Sequence, residues 1–209
     1  MEKFTVLTGI AAPLLRANVN TDVLIRIERL MFVAKGELGP YCFEAWRYRP
    51  DGAEDPDFVL NKSAYRGAKI LLAAENFGCG SSREQAVWSL WDMGFRCVIA
   101  PSFGDIFFGN CFQNGMLPIV LPAAVIAELA TEIETAAQRK ANATELTVDL
   151  ERRLITTPSG RAIPFAVDVA KRQALLDGLD EIGMTQRRES DIAAFQTADR
   201  TRRPWIYRF

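Results

Sequence analysis

Apolar positions in this chain fall into short runs that alternate with stretches of helical spacing. Residues 68–74 form a largely apolar run of the length of a buried strand. Ala86, Val87, Leu90, Trp91 and Met93 then recur at helical spacing, and Gly94 stands where a C-cap falls. A further strand ends near Pro101, a short helix follows over about residues 104–114, and residues 117–121 form another strand. After Pro122, the positions Val125, Ile126, Leu129, Ala130, Ile133 and Ala136 predict an amphipathic helix. Asn142-Ala143-Thr144 predicts a turn into the alternating Leu146, Val148 and Leu150. Leu154-Ile155 and Ile163-Pro164-Phe165, separated by Pro158-Ser159-Gly160, read as a hairpin. Helices are expected over residues 167–176 and 191–198. At the start, residues 4–7 alternate as a first strand, which Ala12-Pro13-Leu14 is expected to break. Strands alternating with helices at this spacing predict an α/β core.

At 209 residues the chain is long enough for one domain, with a core over about residues 1–122 and a C-terminal extension over about 123–209. The net charge of −1 offers nucleic acid no overall basic surface. The tail Arg200-Thr201-Arg202-Arg203-Pro204-Trp205-Ile206-Tyr207-Arg208-Phe209 is basic and aromatic, and is expected to pack on its own domain or on a partner subunit. No apolar run is long enough to cross a bilayer and Met1-Glu2-Lys3-Phe4 opens no signal peptide, so a cytoplasmic chain is expected.

Residue chemistry narrows the function. The chain has no histidine, which excludes a Ser-His-Asp triad and any histidine-based metal site within it. Cys42, Cys79, Cys97 and Cys111 form no C-x-x-C pair and match no common zinc or iron–sulfur spacing. The richest stretch is Asn76-Phe77-Gly78-Cys79-Gly80-Ser81-Ser82-Arg83-Glu84, between the strand and the helix. Backbone N–H groups at a helix start favour an anion, and Arg83 adds a two-pronged donor matched to a carboxylate. The stretch fails the dinucleotide fingerprint, whose third glycine is Arg83 here, and no Lys-Ser/Thr pair closes it as a phosphate loop. Two readings stay open on chemistry alone: a carboxylate-binding turn, or a plain serine-capped helix start.

Taken with Val98-Ile99-Ala100-Pro101-Ser102-Phe103 and Asn114-Gly115-Met116-Leu117-Pro118, this stretch resembles the small-subunit family of the 3-isopropylmalate dehydratases, the swivelling module of the aconitase superfamily. The resemblance runs nearly the whole chain, in order, through Asn18-Val19-Asn20-Thr21-Asp22, Phe43-Glu44-Ala45-Trp46-Arg47-Tyr48, Asp177-Gly178-Leu179-Asp180 and Arg203-Pro204-Trp205. It implies a swivelling β/β/α domain with a small β-rich C-terminal add-on and terminal helices. It also implies a hydro-lyase of leucine biosynthesis that works only with a large subunit carrying a [4Fe–4S] cluster, so that this chain binds no cofactor itself. By the same resemblance Ser81 is the residue that removes or returns a carbon-bound proton, while Ser82 and Arg83 bind a small dicarboxylate. Thr21, Asp22, Arg29, Leu30 and Met31 are the further substrate-binding candidates, with no metal, nucleic-acid or membrane role.

Several positions depart from the family pattern. Gln85 replaces a histidine, Asn20 an aspartate, Leu15 an aspartate, and Leu24-Ile25-Arg26 an Ile-Ile-Pro. Arg26 and Arg29 lie where the specificity segment falls, so they either grip a carboxylate or face solvent, while Leu30, Met31 and Phe32 offer an apolar lining. Two alternatives therefore stand beside the main reading. One is a paralogous hydratase for a dimethylmalate- or citramalate-type acid; the other is a non-catalytic binding or assembly protein.

Overall fold

The structure, a computed structural model, describes residues 1–139 and 144–207. The expected turn at Asn142 and Ala143 and the last two tail residues, Arg208 and Phe209, lie outside them. In chain order the elements are β1 (Val6–Leu14), α1 (Thr21–Leu24), α2 (Ile27–Leu30), α3 (Glu44–Arg47), β2 (Ile70–Ala73), α4 (Gln85–Met93), β3 (Cys97–Ala100), α5 (Asp105–Gln113), β4 (Leu117–Val120) and α6 (Ala123–Arg139). There follow β5 (Glu145–Asp149), β6 (Leu154–Thr156), β7 (Ala162–Pro164), α7 (Val169–Asp177), α8 (Glu181–Gln186) and α9 (Glu189–Arg202).

The seven strands form one sheet in the order β4-β3-β2-β1-β5-β6-β7. β1 is the joint. Its second half, from Ala11 to Leu14, pairs in parallel with β2, and β3 and β4 continue that parallel half. Its first half, from Val6 to Ile10, pairs antiparallel with β5, which leads through β6 to β7. The strands after residue 144 thus extend the same sheet. β2 and β3 are buried along their whole length, as parallel strands covered on both faces must be. α6 lies across β1, β2 and β3 and buries Ile126, Leu129, Ala130 and Ile133, four of the positions that its periodicity singles out. α4 packs against α1, α5 and the turn at residues 39–41, and ends on Gly94 at φ +114°, the left-handed cap expected of it.

Pro13 does not break the first strand; β1 runs through it, and Pro13 sits opposite Leu72. Ile10 offers its carbonyl to β2 and Ala11 its N–H to the β5 side, so the alternation points position 13 toward the β5 side. Pairing with β5 stops at Ile10, and a missing N–H beyond that point costs no ladder bond. α8 was not foreseen from the pattern; Asp180 caps it by accepting from the Gly183 N–H at 2.7 Å. α9 runs longer than residues 191–198 because its last turns end in arginines, which suit a helix C-terminus. Asp199, its one buried residue, accepts from Arg203 Nε at 2.6 Å and from the Tyr207 hydroxyl at 3.0 Å. That pair folds the start of the basic tail back onto the chain's own helix and leaves Trp205 exposed.

Candidate functional site

The loops that leave the carboxyl ends of β1, β2 and β3 meet at one end of the sheet, the end at which open α/β sheets hold ligands. Backbone bonds stitch the three loops together. The Asn18 N–H donates to the Glu75 carbonyl at 3.0 Å, Gly78 N–H to Val19 at 2.7 Å and Thr21 N–H to Cys79 at 2.9 Å. On the far side, Phe77 N–H donates to Ser102 at 3.1 Å and Gly104 N–H to Phe77 at 2.9 Å. Asn76, at φ +57°, donates its side-chain amide to Asn18 Oδ1 at 2.8 Å. Gly78 adopts φ +73° with the Phe107 ring directly against it, so a Cβ there would overlap the ring. Only glycine fits.

On this fixed base the chain turns outward through Gly80, and Ser81 and Ser82 stand exposed. The Thr21 hydroxyl donates to the Ser81 carbonyl at 2.7 Å and holds the turn from behind. Arg83 is only 14 % exposed at its side chain, and one guanidinium nitrogen is paired with the carboxylate of the more exposed Asp22. The serine-capped reading is corrected: α4 begins at Gln85, its N-cap position is Glu84, and no side chain caps it. Both serine hydroxyls are free of protein partners among the described residues, which leaves them to something outside the chain.

The other expected residues take different places. Thr21 is 1 % exposed and its hydroxyl donates to the Ser81 carbonyl, so it supports the turn. Arg29 is committed to Glu44, with Nε 3.0 Å from Oε2 and a second nitrogen on Oε1, and its guanidinium lies 4.5 Å from the Tyr41 ring centroid. The hydrogen bond from Arg29 holds the Glu44 carboxyl below the usual carboxylate range. Arg29 thus braces α2 against α3. Leu30 packs half-buried against the core, whereas Met31 is 78 % and Phe32 84 % exposed, beside an exposed Ile27. Leu15, just past β1, and Ile106, at the start of α5, are also exposed at this end of the sheet. Apolar side chains are therefore exposed along α2 and at this end of the sheet, the kind of surface that ends up against another molecule.

The departures from the family pattern have local explanations. Asn20 caps α1 by accepting from the Val23 N–H at 2.9 Å, a task an aspartate performs equally. Arg26 sits at the N-cap position of α2, half-exposed, 3.5 Å from Glu28. Gln85 is the first residue of α4 and half-buried. Cys42, Cys97 and Cys111 are buried, and burial pushes the Cys42 thiol up to about 12 and raises the other two as well. Among the described residues no group of three His, Cys, Asp or Glu side chains is placed to hold a metal ion. No helix among them is long and apolar enough to cross a membrane. Pattern reading missed the roles of Asn18, Asn76 and Ser102, whose partners come together only in three dimensions; Asn76 at the head of the glycine-rich turn was the one available signal.

A mixed sheet with a glycine-rich serine turn at its parallel end is the architecture of the aconitase swivelling module. In accord with this, residues 1–124 match the Aconitase C-terminal domain family and residues 133–168 match LeuD_N. The chain is 54% identical to the 3-isopropylmalate dehydratase small subunit of Paramagnetospirillum magneticum over 99% of its own length and 100% of that protein. It is 54% identical to that of Rhodospirillum centenum, covering 98% of each, and 51% identical to that of Dinoroseobacter shibae, covering 99% and 100%. A crystal structure of a 3-isopropylmalate dehydratase from Methanocaldococcus jannaschii shares the fold, with a TM-score of 0.64 at 23% identity over 90% of this chain and 98% of that one. The chain belongs to the family of 3-isopropylmalate dehydratase small subunits.

Proposed function

We propose that this chain supplies half of the active site of a cytoplasmic hydro-lyase that interconverts 2-isopropylmalate and 3-isopropylmalate. The other half is a large subunit that closes over the serine turn. The observation that carries this reading is the state of Ser81 and Ser82: two exposed hydroxyls with no protein partner among the described residues, on a backbone held fixed from both sides and next to Arg83 in the chain. A scaffold has no need of such a pair. An acid/base site has, once a partner excludes water.

In this reading Ser81 takes a proton from the carbon next to the leaving hydroxyl and returns one during rehydration. Serine is a weak base, so its anion needs stabilising. The Ser81 alkoxide would sit beside the Arg83 guanidinium and the N–H groups that precede α4, which have no acceptor among the described residues. Ser82 donates to substrate oxygen and orients it. Arg83 retains donors beyond the one given to Asp22, and these pair with a substrate carboxylate; Asp22 fixes the fork's direction. Met31, with Phe32 and Ile27, offers the apolar surface that an isopropyl group seeks, and Leu30 backs it from the core. The [4Fe–4S] cluster belongs to the partner in this proposal, where it acts as a Lewis acid. The residues of this chain do not fit it as ligands, since three of its four cysteines are buried and apart from any metal grouping.

The test is an anaerobic assay of this chain with its cluster-bearing large subunit on isopropylmalate, dimethylmalate, citramalate and citrate. The proposal requires isopropylmalate to be turned over fastest. Preference for another acid would overturn the substrate assignment, and complex formation without turnover of any acid would overturn the catalytic one.

A further inference from the structure

Asn114 lies at the C-cap of α5, outside every group of residues assigned above, yet its side chain is tied to three other parts of the molecule. Its Nδ2 donates to Glu84 Oε1 at 2.8 Å and to the Asn110 carbonyl at 3.0 Å. Its Oδ1 accepts from Trp88 Nε1 at 2.9 Å and from Lys35 Nζ at 3.2 Å. Two donated and two accepted bonds use the full capacity of a carboxamide, and they fix which way the amide faces. Lys35 also lies 4.4 Å from the Trp88 ring centroid, which adds a cation–π contact to the same knot.

We propose that Asn114 is a positioning residue for the reaction, one that aims Arg83 by holding Glu84; this rests on the roles given to Ser81 and Arg83 above. Glu84 follows Arg83 directly and occupies the N-cap position of α4 without capping it. An untethered carboxylate there would be free to turn onto its neighbour's guanidinium and compete with the substrate carboxylate. Bound to Asn114, it is held toward α5. Trp88 stands one turn further along α4 on the same amide, so α4 cannot rotate without breaking two bonds at once. Lys35, four residues beyond Met31, fastens the segment after α2 to the same point. One amide therefore sets the first turn of α4 relative to the segment that follows α2.

The test uses three variants in the assembled complex: Asn114→Leu, Asn114→Asp, and Asn114→Asp with Glu84→Gln, which exchanges donor and acceptor across the contact. A merely structural role would reduce the amount of active complex and leave KM alone. Normalised to assembled complex, Asn114→Leu is expected to raise KM at least about threefold and lower kcat about tenfold. Asn114→Asp, which keeps the shape and the acceptor for Trp88, should fall in the same direction, and the exchanged pair should recover most of the KM. Hydrogen exchange of the free chain reads the tether without any activity: Asn114→Leu should speed exchange about tenfold at the amides of residues 86–88, which donate to the Arg83 and Glu84 carbonyls, while β2 and β3 keep their protection. Normalised kcat and KM within twofold of the parent, or unaltered exchange at residues 86–88, would overturn the proposal. A parent complex inactive on isopropylmalate would instead count against the proposed function, with the exchange measurement still deciding the tether.

Discussion

Replacing Thr21 by valine tests whether the serine turn is held as tightly as its bonds imply. Valine keeps the branched shape of threonine at a position only 1 % exposed, but puts a methyl group where the hydroxyl meets the Ser81 carbonyl at 2.7 Å. A carbon and an oxygen rest about 3.3 Å apart or more, so the carbonyl must retreat by roughly 0.6 Å. The lost hydrogen bond costs about 1 kcal/mol of stability. The displacement matters more for turnover, since a misplacement of about 1 Å in a catalytic group costs on the order of a hundredfold. Thr21→Val should therefore lower kcat of the assembled complex by about ten- to a hundredfold, while the free chain loses only about 1 kcal/mol in a thermal or denaturant melt. Thr21→Ser is the control: it keeps the hydroxyl, gives up a buried methyl at about 1 kcal/mol, and should keep kcat within about threefold. Equal turnover by the two variants would refute the reasoning, because they differ in the bond to Ser81 and hardly in stability.

Two further outcomes follow from the ion pairs. Arg83→Lys should raise KM and lower kcat, each about tenfold, because a point charge cannot serve Asp22 and a substrate carboxylate as a planar fork does; steady-state kinetics of the complex will show it. Glu44 titrates below its ordinary value because of its hydrogen bond to Arg29, so the stability it contributes is complete above the unfolded value of about 4.3 and is lost as pH falls through the lower folded value. Denaturation of Glu44→Gln against the parent should accordingly show a difference at pH 7 that closes as pH drops below about 4; a difference that persists in acid would mean the pair carries no linked proton.

How much of this was legible beforehand depends on the range of the interactions. The β2–turn–α4 unit could be read from local signals alone: an apolar run of strand length, a helical repeat from Ala86 to Met93, and a glycine at the stop. α6 was equally plain, since Ile126, Leu129, Ala130 and Ile133 mark one face. Pro13 misled because its effect depends on where β5 stops, and β5 lies more than 130 residues downstream. At the site, the resemblance pointed to Ser81, Ser82 and Arg83, and the structure does bring them together on one turn. For Thr21 and Arg29 the resemblance implied a substrate-binding role but named no partner within the chain, because a polar side chain in a motif carries no mark of its partner. Their partners, the Ser81 carbonyl and Glu44, are 60 and 15 residues away and appear only once the loops are stitched. Asn114 escaped for the same reason.

The central claim is that Ser81 moves the proton, and Ser81→Ala in the complex with the large subunit tests it most directly. The variant removes one exposed oxygen that bonds nothing among the described residues, so the free chain should melt with the parent to within about 0.5 kcal/mol and assemble normally. Turnover of isopropylmalate should fall by at least about a thousandfold with KM little changed, the pattern of an interaction made only in the transition state. Turnover near that of the parent, in a complex of normal assembly, would contradict the account and move the proton to another residue.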